Sequence, residues 1–422
     1  MIENIKEMID FIQSQKRTVK KVSLDRFRSM CKVFGSPEIG QKYIHVGGTN
    51  GKGSVVSFIK NILIEQGYKV GSYVSPYVVC FNERIQLNGE YIPDNDVIEI
   101  GNMIIEKYDE LESIGLTHPT FFEFVTLMAF LYFKKTKPDY VIMEVGIGGL
   151  LDCTNIIDPV ISVISNVAYD HMNVLGDTLE EIASNKLGIV KKDKALITLE
   201  NPQINHLFIS RCEEMNASLR LIKKSDIKNI EIKDNVLSFD YKKYNIKSHL
   251  IGLYQTENIS VAIEAIEEFS KRMNLSISKE IIEKGIEKTF WPGRFQIVNN
   301  DPLIIIDGAH NIDGIDRLCE TISKLKEGRK LNIIFAVSKD KAKDKMINSL
   351  SKIADEMIFS SFDYKRSDDP NELIAFAEGY DNKRILDDLD EYIKEIHNIK
   401  DEVFLFCGSL YFVSELLPKF NK

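Results

Sequence analysis

No apolar run in the 422 residues reaches the roughly 18 needed to cross a bilayer. The opening Met1-Ile2-Glu3-Asn4 lacks a basic segment followed by an apolar one, so no secretion signal is read there. The six cysteines (Cys31, Cys80, Cys153, Cys212, Cys319 and Cys407) are scattered, and none forms a Cys-x-x-Cys pair. That argues against a disulfide framework or a zinc site and for reduced, mostly buried thiols. Together these absences predict a cytoplasmic protein. Basic excess is missing too: the formal net charge is -9. An acidic chain has no general attraction for nucleic acid or an anionic membrane. There is no internal repeat and no low-complexity linker, and no sustained apolar heptad stands out, so a monomer is expected. A guanine-reading Asn-Lys-x-Asp segment is absent in any suitable context, which disfavours a GTPase-like switch.

What is present is ordinary globular material: 44% hydrophobic, 9% aromatic and 28% charged residues. Length suggests two or three domains. Short β-branched runs alternate with helical patterns. Tyr43 to Val46, Lys69 to Val74, Tyr140 to Val145 and Val160 to Ile164 read as strands. Ser54 to Gly67 and Phe121 to Lys134 read as helices. Strands apolar on both faces, alternating with helices, predict a mainly parallel sheet covered on both sides. Between Ala217 and Leu250 the alternation becomes strict, as in Val236-Leu237-Ser238-Phe239, and antiparallel hairpins are expected. A helix follows from Glu257 to Met273. After Trp291-Pro292-Gly293-Arg294 a second α/β series begins, with strands at Leu303 to Asp307, Leu331 to Ala336, Glu356 to Phe359 and Val403 to Cys407 and a helix from Gly314. We place a boundary near residue 297, giving domains 1–296 and 297–422.

The strongest local signal is Gly47-Gly48-Thr49-Asn50-Gly51-Lys52-Gly53-Ser54, between a strand and a helix. Glycines let the backbone wrap an anion, the helix start supplies N–H groups, and Lys52 adds a mobile charge. The spacing departs from the usual phosphate-loop pattern. Only two residues separate Gly48 from Gly51, and Gly53 stands where a metal-binding hydroxyl normally follows the lysine. Magnesium would then need oxygen from elsewhere. Ser54 and Ser75 are candidates. Glu144 is a better one, because a carboxylate at the end of an apolar strand needs a cation or donors to meet it.

These stretches, in order, resemble the folylpolyglutamate synthase/dihydrofolate synthase family within the Mur-ligase superfamily. The match includes Ser23-Leu24-Asp25-Arg26, His45 to Ser54, Ser75 to Gly89, Thr120 to Phe124, Glu144 to Asn155, Asp170-His171, Leu175 to Thr178 and Lys186 to Ile189. It continues through Trp291 to Arg294, Asp307 to Asn311 and Cys407 to Leu410. The resemblance implies an α/β fold: a P-loop central domain with a mainly parallel sheet, and a smaller Rossmann-like C-terminal domain. It implies an ATP-dependent ligase that activates a folate or dihydropteroate carboxylate as an acyl phosphate. L-Glutamate then captures it, releasing ADP and phosphate. ATP, two magnesium ions, a monovalent cation and a carbamylated Lys186 are implied as well.

Residue roles follow by match. Thr49, Asn50, Gly51, Lys52, Gly53 and Ser54 would cradle the ATP phosphates. Ser75 and Glu144 would hold one magnesium, and His171 a second. Asn258 would meet the base, although it also reads as an ordinary residue near a helix start. Arg294 and Asp307 would meet the nucleotide from the second domain. His310 and Ser409 would hold glutamate. Thr120, Phe121, Phe122, Glu123, Leu151, Asp152 and Cys153 would line the pterin pocket, where rings suit a flat heterocycle. Phe121 and Phe124 read equally well as core. Lys186, taken without the resemblance, reads as a solvated helix lysine.

This chain departs from the family at four places. Tyr77 and Tyr254 stand where histidine is common, Leu150 where arginine follows the paired glycines, and Asn185 where glutamate precedes the modified lysine. Leu150 bears most on substrate preference, because an apolar side chain does not replace a cation. Three alternatives remain: dihydrofolate synthesis only, a Mur-type ligase for another acid, or a catalytically silent ATP-binding protein.

Overall fold

The structure, a computed structural model, describes residues 1–17 and 23–420. Its chain divides into two compact units. The first comprises Met1–Lys228, Tyr241–Asn245 and Glu257–Thr289; the second comprises Asn229–Asp240, Ile246–Thr256 and Phe290–Lys422.

The first unit is built on eight strands: β1 (Tyr43–Gly47), β2 (Val70–Tyr73), β3 (Ile85–Leu87), β4 (Glu90–Tyr91), β5 (Tyr140–Glu144), β6 (Pro159–Ile164), β7 (Ala195–Leu199) and β8 (Ser218–Ile222). They lie in the order β4-β3-β2-β5-β1-β6-β7-β8. The six strands from β2 to β8 are parallel, and β3 and β4 extend one edge antiparallel. Strands β1, β2, β5 and β7 are buried at every position. Helices on both faces leave no solvated side to encode, which is why these segments read as continuous apolar runs. From β1 the chain crosses to β2 on one side, and β6 later takes the other side. The carboxyl end of β1 therefore faces a crevice flanked by the ends of β5 and β6, where open α/β sheets bind ligands.

The helix after β1, Lys52–Glu65, is buried nearly all round, including Ser54, Ser57 and Lys60. Its outer side packs on helix Lys279–Glu287, where Gly285 lets the backbone approach Ile62 so closely that a Cβ would strike its Cα. A large apolar cluster on one face joins Phe124, Phe130 and Phe133 to Met8, Phe27 and Tyr73. Phe121 belongs to it, as does Phe124, so the core reading holds for both rings.

The alternating stretch forms β9 (Ile227–Lys233), β10 (Val236–Tyr241) and β11 (Tyr244–Ser248), ordered β11-β10-β9. Two-residue turns join them, with Asp234, Asn235 and Lys242 at positive φ. Such short turns allow only antiparallel hairpins.

The second unit carries β12 (Gln296–Asn300), β13 (Leu303–Ile306), β14 (Lys330–Phe335), β15 (Glu356–Phe359), β16 (Lys383–Ile385) and β17 (Glu402–Cys407), ordered β12-β13-β17-β14-β15-β16. All neighbours are parallel except β12 and β13. Among the described residues no helix is long and apolar enough to cross a membrane.

Candidate active site

In the first unit the sequence-predicted residues gather where β1 ends. Gly48 has φ 139°, and a Cβ there would collide with Ser165 Oγ; Gly51, at φ 79°, is pressed against the Asn258 amide. Only glycine meets both demands. The loop is tied to the segment after β6. Thr49 N donates to Asn166 O at 3.0 Å, Asn50 N to Asn166 Oδ1 at 2.8 Å, and Ser165 Oγ to Asn50 O at 2.6 Å. Thr49 Oγ1 exchanges bonds of 3.0 Å with the Ala168 main chain in both directions. A loop held this way keeps its shape before any anion arrives. Gly53 and Ser54 are buried in the first helical turn behind it. Asn258 lies in the second turn of helix Gln255–Met273, buried beneath the loop, so it is not a helix cap.

Two lysines converge on one carbonyl. Lys52 Nζ donates to Gly48 O at 3.2 Å and to Thr49 O at 3.1 Å. Lys186 Nζ donates to the same Gly48 O at 2.9 Å. Lys186 is buried at the end of helix Leu179–Lys186, not solvated. Burial, and then the Lys52 charge, pull its pKa down to about 7, against an opposing pull from Asp170. Lys52 and a partly neutral Lys186 thus share one carbonyl of the loop.

Glu144 ends β5 beside this loop, since Val46 pairs with Glu144 in register. Its Oε2 accepts from Ser75 N at 3.2 Å, and Ser75 Oγ accepts from Arg84 at 3.2 Å. His171 lies just before the short helix Met172–Leu175, at φ 50°, with its N–H on Asp170 Oδ1 at 2.8 Å and its ring 3.9 Å from Asp170 Oδ2. Among the described residues no three His, Cys, Asp or Glu side chains group as a metal cage. Magnesium prefers hard oxygens and takes much of its shell from phosphates and water. Glu144 and Ser75 supply two hard oxygens at the loop.

The expected pterin-side residues also cluster in the first unit. Thr120 and Glu123 form a capping box on helix Phe121–Thr136. Glu123 pairs with Arg26 at 3.1 Å. The Phe122 ring lies against Gly146, where a Cβ would strike it. Leu151 is half exposed and Cys153 partly buried. Asp152 is buried, with both oxygens already bonded inside the protein. Leu150 is 48% exposed, its backbone packed on Gly188 and its N–H given to Asn185 O at 2.9 Å.

Sequence reasoning missed Arg84. Its guanidinium sits 5.0 Å over the Tyr77 ring and 5.3 Å over Phe121, while also reaching Ser75. The signal available was its place in Phe81-Asn82-Glu83-Arg84, a charged pair in an otherwise apolar region. Asn166, which fastens the phosphate loop, carried no sequence signal, since a lone asparagine after a strand is commonplace.

In the second unit, Asp307 ends β13. Its Oδ2 accepts from Tyr254 Oη and Phe295 N, both at 2.8 Å, and Oδ1 from Ala309 N at 2.7 Å. Burial raises its pKa while Arg294 pulls it down. Arg294 reaches Gly308, where a Cβ would sit 2.8 Å from Nη1. Phe295 holds φ 47°, an uncommon conformation for a bulky residue, so the bonds to Asp307 stabilise a costly turn. His310 Nδ1 lies 2.8 Å from Gly308 O and therefore carries the proton. Ser409, buried, follows Gly408, whose N–H bonds Ala309 O at 3.0 Å. The β13 and β17 loops are thus stitched together, bringing His310 and Ser409 to one end of this sheet.

Comparison with known proteins agrees over nearly the whole length. The Mur ligase middle domain family matches residues 46–266, and the Mur ligase glutamate ligase domain family matches residues 293–410. A dihydrofolate synthase/folylpolyglutamate synthase of Bacillus subtilis (strain 168) is 36% identical over 406 residues, covering 94% of each chain. A folylpolyglutamate synthase structure from Thermotoga maritima superposes with a TM-score of 0.83 at 30% identity, covering 99% of each chain. A structure described as an FPGS-AMPPCP-folate complex superposes with a TM-score of 0.84 at 28% identity, covering 98% of each.

Proposed function

The chain belongs to the dihydrofolate synthase/folylpolyglutamate synthase family of Mur ligases, and from that membership we propose how its residues join L-glutamate to a folate acid at the expense of ATP. The observation that carries the reading is the meeting of Lys52 and Lys186 on the Gly48 carbonyl, beside Glu144. Lys52 at that carbonyl suits a triphosphate, and the depressed pKa of Lys186 suits the carbamylation argued below.

The reaction brings anions together, so positioning and charge neutralisation supply most of the catalysis. Thr49, Asn50, Gly51, Gly53 and Ser54 wrap the phosphates, and Asn258 steadies the loop against the nucleotide. Lys52 offsets charge on the transferring phosphoryl group. Glu144 and Ser75 would hold one magnesium and His171 a second. Bound magnesium supplies charge neutralisation on the phosphates and the acyl oxygen. The acceptor carboxylate attacks the γ-phosphorus and ADP leaves. The glutamate amine then attacks the acyl carbon, a proton is lost, and phosphate departs as the amide forms. The segment from Thr120 to Glu123 and residues 151–153 receive the pterin. Residues 1–296 carry the ATP and pterin sides, and residues 297–422 the glutamate side. Arg294 and Asp307 serve the nucleotide, and His310 and Ser409 hold glutamate. His310 carries its proton on Nδ1, so Nε2 is the ring's acceptor nitrogen.

The deciding experiment is glutamate-dependent phosphate release, with dihydropteroate and tetrahydrofolate tested side by side. Turnover with both indicates the two activities in one chain; turnover with dihydropteroate alone indicates only the first glutamate addition. No glutamate-dependent turnover with either ends the reading. His310→Ala should raise the KM for glutamate by about tenfold or more, on the scale of one lost charge-assisted hydrogen bond, with ATP binding unchanged. Equal losses for both ligands would remove its assigned role.

Carbamylation of Lys186 is part of this proposal. Only the neutral amine attacks carbon dioxide, and with a pKa of about 7 half of the amine is neutral near that pH. An ordinary lysine is almost wholly charged there. As pH rises through about 7 the neutral fraction grows, so reactivation of carbon-dioxide-depleted enzyme should speed up when dissolved carbon dioxide is held at one concentration across the pH series. Activity indifferent to bicarbonate depletion at every pH would show that the lysine works unmodified.

A further inference from the structure

A buried polar chain runs from the central strand to the segment after Glu144, and nothing in the reaction scheme above uses its first two members. His45 lies mid-way along β1, fully buried, with Nε2 2.9 Å from Thr154 Oγ1. Thr154, also fully buried, donates its hydroxyl to Asp152 Oδ1 at 2.6 Å and its N–H to the same oxygen at 3.0 Å. Asp152 Oδ2 accepts from Gly146 N at 3.0 Å and Ile147 N at 3.1 Å.

The proton inventory fixes the direction. A threonine hydroxyl has one proton, and here it is spent on Asp152. The Thr154 oxygen can then only accept from the histidine, so His45 carries its proton on Nε2. Its Nδ1 is buried without a partner among the described residues, as a neutral ring allows. Burial holds the ring neutral, lowering its pKa to about 3, with Lys191 adding to the effect. The Asp152 carboxylate offers about four acceptor directions, and protein donors fill all four. Burial pushes this carboxyl up, and its four donors pull it back. An oxygen pair so occupied acts on a ligand by shaping the loop rather than by receiving a new donor.

We propose that His45 and Thr154 are positioning residues which, through Asp152, hold residues 146–153 in the shape that receives the acceptor acid. This rests on the reading that residues 151–153 line the acceptor site. The chain has a physical reason to exist. Residues 146–149 are Gly-Ile-Gly-Gly, three glycines in four, a segment with many open conformations unless something anchors it. Asp152 supplies the anchor through two main-chain amides, and Thr154 pins Asp152 to the rigid central strand through His45.

The test uses the full-length enzyme, Thr154→Val and Thr154→Ser. The valine keeps the shape and deletes the hydroxyl; the serine restores it. Thr154→Val should raise the KM for the folate acceptor about tenfold, on the scale of one charge-assisted hydrogen bond, with the KM for ATP unchanged and kcat changed far less. Thr154→Ser should return the acceptor KM to near its starting value. Deuterium exchange, followed by mass spectrometry in peptides covering residues 145–156, should be faster in Thr154→Val alone. An unchanged acceptor KM, or equal rises for acceptor and ATP, overturns the proposal. If the unaltered enzyme shows no folate-dependent turnover, the functional reading fails and exchange alone decides. Faster exchange in the valine variant then retains the positioning role, and unchanged exchange removes it.

Discussion

Lys52→Ala should reduce glutamate-dependent ATP turnover by about 100-fold to 1,000-fold, the range seen when one preorganised charge stabiliser is removed. The reason is placement. Lys52 Nζ is already folded over its own loop, bonded to the Gly48 and Thr49 carbonyls, so no reorganisation precedes phosphate binding. The variant should fold, because the loop's shape depends on Asn166, Ser165 and Ala168 rather than on the lysine. A second effect has a definite sign. The Lys52 charge helps to depress the Lys186 pKa, so its removal should let that pKa rise. At neutral pH less neutral Lys186 amine would remain, and reactivation at a fixed concentration of dissolved carbon dioxide would need a higher pH. Phosphate release and a bicarbonate titration across pH check both effects. A normal rate in Lys52→Ala would refute the phosphate-loop assignment.

Glu144→Gln should cost about 100-fold in turnover and move the magnesium requirement upward, as loss of an anionic ligand to a hard cation does. Glutamine keeps the length and an oxygen for the Ser75 amide, so the β5 end should retain its form. What disappears is the charge. Glu144 is buried at a strand terminus, paired in register with Val46 of the strand that enters the glycine loop. An ionised carboxylate there is expensive unless a cation meets it. The glutamine variant should melt close to the parent without nucleotide, and the loss should show in magnesium-dependent turnover. A magnesium titration of phosphate release, beside a thermal melt, separates the two. Unchanged magnesium dependence would move the metal away from Glu144.

Much of the frame was legible from residues alone. Tyr43 to Val46, Tyr140 to Val145 and Val160 to Ile164 read as buried strands, and they are β1, β5 and β6 at the centre of the parallel sheet. The second α/β series after Trp291 also appears where apolar runs placed it, but the hairpins begin at Ile227 rather than Ala217, because Ser218–Ile222 joins the parallel sheet as β8. Helix starts were less exact. The helix after the phosphate loop begins at Lys52, not Ser54, because Gly51 adopts the left-handed cap and frees the lysine to enter the first turn. Of the site, the glycine loop and the strand-end carboxylate were visible, since each is a local violation of an apolar or helical pattern.

Other features left no such local mark. Lys186 read by itself as a solvated helix lysine, yet it is buried against Gly48, 138 positions away in sequence. Arg84 is wedged between Tyr77 and Phe121, and His45 meets Thr154 across 109 positions.

The sequence by itself determined the α/β class, the glycine loop and the order of the elements, because these follow from short-range periodicity and glycine conformational freedom. Only the tertiary structure decided which distant side chains share one carbonyl or one carboxylate. Those pairings depend on strand order and register, and no local pattern along a chain records which strands become neighbours.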